Sequence, residues 1–169
     1  MQRLILMRHG DAERPSPGLE DFDRVLTAEG REESRSVGRA LAGAGVVPDL
    51  ALVSAARRTL ETWRAVGESF ASAAMRQDDS LYAASSVRLA AAAREAAADA
   101  DTVILVGHNP GVHQLALHLA KRGGAAREAV GPLYDRFPTA SAAVFTLDAD
   151  ATPRFERLFL AKTYRKAAP

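Results

Sequence analysis

Two apolar runs of the sequence end beside a histidine. The first run, residues 4–7, is followed by Arg8 and His9, and the second, residues 102–106, ends two positions before His108. Such runs are typical of strands buried on both faces of a sheet. An imidazole can act as a nucleophile and a guanidinium can bind an oxyanion. A single histidine at a strand end is usually structural, but the repetition of the pattern indicates a site.

A second pair of cations lies further along the chain. Arg57 and Arg58 fall in the first turn of a predicted helix, where the helix dipole disfavours positive charge unless an anion is bound there. For Arg57, anion binding is no more favoured than the structural alternative, in which the side chain faces solvent or pairs with Glu61. Arg58 is harder to explain structurally, because with Arg8 it can hold phosphate oxygens through forked hydrogen bonds that lysine cannot make.

The surrounding sequence alternates between strand-like and helix-like segments, which is typical of a parallel sheet flanked by helices. Further strands are expected at residues 49–54 and 74–77, followed by C-terminal strands near 142–148 and 155–160. Helices are expected after Thr27, after the second strand, from Val87 and after Pro110. The carboxyl ends of parallel strands share one edge of a sheet, so we expect His9 and His108 to converge there, with helix N-terminal amides close by.

Composition restricts the class of protein. The chain has 169 residues, 47% of them hydrophobic, which predicts one domain with a substantial core. A net charge of +1 gives no reason to expect nucleic acid or a membrane as partner. The absence of cysteine excludes thiolate nucleophiles and Cys-ligated zinc. No secretory pattern precedes the first strand, which favours a cytoplasmic location.

Four motifs in sequence order resemble the histidine phosphatase superfamily. They are Arg8-His9-Gly10, the segment LTAEGREESR, the spaced set Ser54, Arg58 and Thr62, and GHNPG at 107–111. Asp11 directly after the first motif, LYAAS at 81–85 and FPTASAAVFTLD at 137–148 are most similar to the SixA-type phosphohistidine phosphatases.

The resemblance implies a fold and a set of site residues. The fold is a small three-layer α/β/α domain of the phosphoglycerate-mutase type with a mostly parallel sheet. The histidine phosphatase domain would span residues 1–163, followed by a C-terminal tail at 164–169. His9 matches the histidine that becomes phosphorylated, and the catalytic set also includes Arg8, Arg58 and His108. The residues expected to bind substrate are Gly10, Arg8, Arg58, His108, Asn109 and Ser141. Thr139 is also placed near the site by the resemblance.

One departure from the family pattern bears on the substrate. Many members that act on phosphate monoesters carry a glutamate that protonates the leaving oxygen, and Ala83 occupies that position here. A branch of the family has an aspartate after the second histidine, where this chain has Asn109. A general acid contributes about 10² to 10⁴ in rate, but a protonated phosphoimidazole can release neutral imidazole without one. Four carboxylates could replace the missing general acid: Asp11, Glu13, Asp78 and Asp79. Each of them is more typical of a solvated loop carboxylate.

The sequence therefore predicts a metal-independent phosphohistidine phosphatase without a cofactor. Its partner would be a phosphoprotein bearing phosphohistidine, such as a phosphotransfer domain, or a small phosphorylated substrate. The alternatives are a phosphomonoesterase acting on a small metabolite or nucleotide, and a non-catalytic protein that binds a phosphorylated ligand. The Pro- and Gly-containing loop at 11–24 is expected to lack regular structure and either to cover the site or to select the substrate.

Overall fold

The computed structural model describes residues 1–164, in which strands and helices alternate as the sequence predicts. The strands are β1 (Arg3–Arg8), β2 (Leu50–Ser54), β3 (Ala74–Asp78), β4 (Thr102–Gly107), β5 (Ala142–Leu147) and β6 (Pro153–Phe159). The α-helices are α1 (Ala28–Gly43), α2 (Arg57–Gly67), α3 (Ser86–Ala96), α4 (Gly111–Arg122), α5 (Arg127–Asp135) and α6 (Ala161–Tyr164). Single turns of 3-10 helix lie at Asp21–Asp23 and Asp79–Leu81.

The six strands form one sheet in the order β3-β2-β4-β1-β5-β6. The pairs among β1, β2, β3 and β4 are parallel, whereas β5 runs antiparallel to both β1 and β6. The predicted mostly parallel sheet with antiparallel C-terminal strands is therefore confirmed. Because all four parallel strands point the same way, the segments that follow them emerge at one edge of the sheet.

Alternating side chains of the central strands face two separate cores. Ile5 and Met7 of β1 pack with α1, α2 and α6, whereas Leu4 and Leu6 pack with α3, α4 and α5. Both sets of side chains are buried, which is why the β1 sequence is continuously apolar rather than alternating. The predicted α/β/α three-layer arrangement is confirmed.

The structure differs from the sequence-based expectation most clearly in two segments. The 11–24 loop is not wholly irregular, because residues 21–23 form a 3-10 turn and an isolated bridge joins Ala12 to Leu26. Helix α5 is not predicted from the sequence, since Gly131 and Pro132 lie inside it and both residues disfavour helix interiors. Buried Val130 and Leu133 anchor this short helix to the core and offset those preferences. Of the predicted tail at 164–169, all but Tyr164 lies outside the described residues.

Helix α1 approaches the end of β1 very closely. Thr27 caps the helix by accepting a hydrogen bond from the Gly30 amide at 2.9 Å, as predicted. A Cβ atom added at Gly30 would overlap the backbone of Asp11, and one added at Gly10 would lie 2.7 Å from the Gly30 carbonyl oxygen. Glycines at both positions therefore let the helix press against the segment that carries His9. No helix in the described part of the chain is long and apolar enough to cross a membrane.

Candidate active site

The two histidines meet at the carboxyl edge of the sheet. Arg8 and Gly107 are paired in register, and the His9 amide donates to the Gly107 carbonyl at 3.0 Å. The ring centroids of His9 and His108 are consequently 5.3 Å apart. The convergence expected from parallel strand ends places both imidazoles in one site.

One ring nitrogen of His9 is hydrogen-bonded to the backbone, and the other can act as a nucleophile. Its Nδ1 lies 2.7 Å from the Gly10 carbonyl oxygen, which can only accept, so Nδ1 carries the proton and Nε2 carries the lone pair. Burial lowers the pKa of His9 to about 4, and the nearby Arg58, Arg8 and Arg24 cations act in the same direction. The imidazole is therefore neutral at neutral pH, as a nucleophile must be.

His108 is positioned by Ser54, the last residue of β2. The Ser54 hydroxyl lies 2.9 Å from His108 Nε2, and both side chains are buried. Burial also lowers the pKa of His108 to about 3, and His9 and Arg58 lower it further. If Ser54 donates to Nε2, the neutral ring carries its proton on Nδ1, which has no other partner within the described residues. Nδ1–H can then donate to a ligand.

A backbone carbonyl joins Arg8 to Asn109. The Phe137 carbonyl accepts from Arg8 Nη1 at 3.0 Å and from Asn109 Nδ2 at 2.9 Å. Phe137 is itself buried and stacks on His113, whose Nε2 lies 2.6 Å from the Leu133 carbonyl. The segment after α5 therefore fixes the orientation of two expected substrate-binding side chains.

Several buried polar atoms at this edge of the sheet lack partners. Within the described residues these atoms are Arg8 Nε, Arg58 Nε, His108 Nδ1, Asn109 Oδ1 and Ser141 Oγ. An unsatisfied buried polar group is costly and calls for a missing ligand or water. Two of the five atoms are guanidinium donors, and a third is an imidazole nitrogen able to donate. Their common requirement is an acceptor, which a phosphoryl group can supply.

Arg58 is bound on one side by a residue that sequence reasoning missed. Its Nη1 donates to the Asp21 carbonyl, and its Nη2 donates to the Asp21 carboxylate at 2.9 Å. The Tyr82 hydroxyl donates to the same carboxylate at 2.8 Å, and the Tyr82 ring lies edge-on to His108 at 5.5 Å. No spacing rule links residues 61 positions apart. One feature of the sequence indicates that Tyr82 lies near the site, because it directly precedes Ala83, the position of the family's general acid.

The other candidate residues occupy supporting or peripheral positions. The Gly10 amide donates to Thr62 at 2.9 Å, so this N–H is already committed, while Ser141 is buried beside the site with an unpaired hydroxyl. Arg57 pairs with Glu61 at 3.2 Å, which is the structural alternative to anion binding.

Within the described residues, no hydrogen bond or ion pair joins His9 to any of the candidate substitute acids. Asp11 accepts from the Thr27 hydroxyl at 3.0 Å, and Asp78 accepts from Ser80 and pairs with Arg88. The Glu13 backbone carbonyl accepts from Arg24. Asp79 lies in the 3-10 turn that follows β3, where its carbonyl accepts from the Tyr82 amide at 3.1 Å. Among the described residues no group of three or more potential metal-ligating side chains is found.

Comparison with known proteins finds the same superfamily that the sequence motifs resemble. Residues 4–85, which include Arg8, His9, Arg58 and Ala83, match the model of the histidine phosphatase superfamily, branch 1. The chain is thus similar to the histidine phosphatase superfamily over about half of its length. A crystal structure from Agrobacterium tumefaciens, of a protein assigned as the phosphohistidine phosphatase SixA, is 28% identical with a TM-score of 0.81. The similarity covers 94% of this chain and 97% of that structure.

Curated relatives are matched over shorter stretches. A 2,3-bisphosphoglycerate-dependent phosphoglycerate mutase from Rhizobium etli is 41% identical over 68 residues, which is 39% of this chain and 32% of the mutase. An uncharacterized chloroplastic protein from Arabidopsis thaliana is 29% identical over 129 residues, 70% of this chain and 59% of the relative. The chain thus spans less than two thirds of either curated relative.

Proposed function

We propose that this protein is a phosphatase that removes the phosphoryl group from phosphohistidine through a covalent phospho-His9 intermediate. The observation that carries the proposal is the set of unpaired nitrogens on Arg8, Arg58 and His108 beside the neutral imidazole of His9. These groups suit an oxyanion with several oxygens and provide a nucleophile next to it. The similarity to the SixA structure from Agrobacterium tumefaciens supports the same assignment.

The first step is transfer of the phosphoryl group between two imidazoles. The lone pair on His9 Nε2 attacks phosphorus as the bond from phosphorus to the substrate imidazole breaks, and that bonding pair returns to the substrate nitrogen. When the other nitrogen of the substrate ring carries a proton, the leaving group is neutral imidazole. His9 Nδ1 keeps its proton throughout, since the Gly10 carbonyl holds it. The two guanidiniums and His108 Nδ1–H stabilise the charge on the transferring oxygens.

The second step is hydrolysis of phospho-His9. A water oxygen bonds to phosphorus, the bond to Nε2 breaks, and the protons of that water leave with the phosphate released. His9 returns to its starting state with its lone pair on Nε2. Neither step requires a proton from a side chain, which matches the presence of Ala83 at the position of the family acid.

The carboxylate nearest to Arg58 also favours this substrate over a phosphate monoester. Hydrogen bonds from Arg24 and Tyr82, with the charge of Arg58, hold the pKa of Asp21 well below its usual range. Asp21 is therefore ionised at neutral pH and has no proton to give to an alkoxide. A monoester would have to leave without acid assistance, which costs a factor of about 10² to 10⁴ in rate.

The test compares phosphate release from a phosphohistidine-bearing protein with release from an alkyl phosphomonoester. We expect a strong preference for phosphohistidine, complete loss of turnover in His9→Ala, and retained turnover in His118→Ala, a matched histidine substitution on α4. Activity should persist in excess chelator. Rapid quenching should trap phosphate on the wild-type protein and none on His9→Ala. Faster turnover of the monoester would favour the phosphomonoesterase, and phosphate binding without turnover would favour the binding protein.

A further inference from the structure

Asp21 places a negative charge at the mouth of the site. Its side chain is 51% exposed, whereas that of Arg58, with which it pairs, is 7% exposed. The Oδ2 atom of Asp21 accepts from Arg58 at 2.9 Å and from Tyr82 at 2.8 Å. The carboxylate thus lies at the boundary between the buried anion-binding groups and solvent, from which a substrate must enter.

Three further contacts hold Asp21 and its neighbours in place. Arg24 donates to Oδ1 at 2.8 Å and to the Glu13 carbonyl at 2.7 Å, which ties the 3-10 turn to the start of the loop. Phe22 packs edge-on against Tyr82 with ring centroids 5.0 Å apart. The Arg58 guanidinium also lies over the Tyr82 ring, 5.8 Å from its centroid. These contacts hold the 11–24 loop over one side of the site, so Asp21 is a built part of that site.

Asp21 and a bound phosphoryl group can share Arg58. Asp21 occupies Nη1 and Nη2 of the guanidinium, while Nε is buried and has no partner within the described residues. A phosphoryl oxygen bonded to Nε would therefore be separated from the Asp21 carboxylate by a single guanidinium group. The leaving group of the substrate must then lie close to the fixed negative charge of Asp21.

We propose that Asp21 determines the class of leaving group that the site accepts. This inference rests on the proposed function. The carboxylate accepts a hydrogen bond from the distal N–H of the leaving imidazole, and it repels leaving groups that carry a carboxylate or a second phosphate. No proton passes to Asp21, because the imidazole retains its N–H as the bond to phosphorus breaks. Asp21 thereby selects phosphohistidine over phosphorylated metabolites with anionic substituents.

The experiment measures kcat/KM of wild type and of Asp21→Asn on two substrates. These are a peptide carrying phosphohistidine and a phosphomonoester whose alcohol part bears a carboxylate. The selectivity ratio is kcat/KM for the phosphohistidine peptide divided by kcat/KM for the anionic monoester. We expect this ratio to fall by about tenfold or more in Asp21→Asn, since a hydrogen bond to a charged group contributes at least about that factor. Part of the fall should come from faster turnover of the anionic monoester.

Asp23→Asn is the matched control, because Asp23 belongs to the same exposed 3-10 turn and makes no side-chain hydrogen bond that the described residues show. It should leave the ratio unchanged. Tyr82→Phe keeps the carboxylate and removes one of its donors, so most of the selectivity should remain. The inhibition constant of inorganic phosphate reports separately on whether Arg58 is still in place.

Each outcome separates the two proposals. If Asp21→Asn slows both substrates by the same factor and weakens phosphate inhibition, Asp21 merely orients Arg58 and the inference is overturned. If wild type prefers phosphohistidine and the ratio is unchanged in the variant, the inference fails while the proposed function stands. If wild type prefers the anionic monoester, both fail. A fall in the ratio with phosphate inhibition retained supports the inference.

Discussion

At the scale of single residues, the site depends on which ring nitrogens carry protons. The Gly10 carbonyl determines this for His9, because an acceptor at Nδ1 leaves the lone pair on Nε2. For His108, the corresponding partner is the Ser54 hydroxyl, 2.9 Å from Nε2. A hydroxyl can donate or accept, so the direction of the Ser54–His108 hydrogen bond depends on whether the other ring nitrogen carries the proton. A phosphoryl oxygen at Nδ1 requires a proton there, and Ser54 must then donate to Nε2.

Ser54→Ala should therefore lower phosphatase activity without unfolding the protein. Loss of the hydroxyl allows the tautomer with its lone pair on Nδ1, which repels a phosphoryl oxygen. By analogy with partners that orient histidine ligands, we expect a loss of about tenfold to a hundredfold in kcat/KM, with weaker inhibition by inorganic phosphate. Ser54→Thr retains the hydroxyl and should recover much of the activity.

Ser36→Ala provides the matched control for that prediction. Ser36 is a buried serine on α1 whose hydroxyl contacts Arg39 and Glu32, outside the site. It should leave kcat/KM unchanged. Equal losses in the two alanine variants would show that the effect of Ser54 is general destabilisation.

At the scale of elements, the contact between α1 and the end of β1 positions the nucleophile. Gly30 in the first turn of α1 abuts the Asp11 backbone, and Gly10 abuts the Gly30 carbonyl. The Gly10 amide also bonds to Thr62 of α2 at 2.9 Å. Two helices thus brace the residue whose carbonyl orients His9. A side chain at this contact would have to displace backbone, which cannot move as a flexible side chain can.

Gly30→Ala should consequently reduce both stability and activity. Overpacking of this kind costs about 1–3 kcal/mol in the free energy of unfolding, and displacement of Asp11 would disturb His9 two residues away. Gly43→Ala, at the other end of the same helix, meets no atom within 4 Å and should be neutral or stabilising by up to about 1 kcal/mol. Urea denaturation and kcat/KM measure the two effects. Wild-type behaviour of Gly30→Ala would disprove this role for the contact.

Much of this arrangement could be predicted from the sequence, for reasons that differ between elements. Strands β1 and β4 are short continuous apolar runs, and Thr27 followed by a polar–apolar repeat predicts α1. Helix α5 could not be predicted, because its stability comes from burial of Val130 and Leu133 rather than from local preference. The contact of Asp21 with Arg58 depends on the path of a loop, and loop paths follow from tertiary contacts that no periodicity encodes.

At the scale of the whole molecule, two neutral histidines buried in a cationic site link stability to pH. The folded-state pKa values of His9 and His108 are lowered to about 4 and about 3, against about 6.5 for an unperturbed histidine. Between these values the unfolded chain binds more protons than the folded one. Stability therefore rises with pH in this window and is lost as pH falls below about 6.5.

The free energy of unfolding should accordingly decrease between pH 7.5 and pH 5, in a range where carboxylates contribute little. Each histidine adds a slope approaching about 1.4 kcal/mol per pH unit once its unfolded form is fully protonated and its folded form is not. Replacement of His108 by Asn removes one of the two groups, so the slope between pH 6 and pH 5 should fall markedly, whatever the variant's stability at neutral pH. Urea denaturation at several pH values measures this slope. An identical slope in wild type and His108→Asn would mean that His108 is already protonated in the folded protein, which is incompatible with a neutral ring hydrogen-bonded to Ser54.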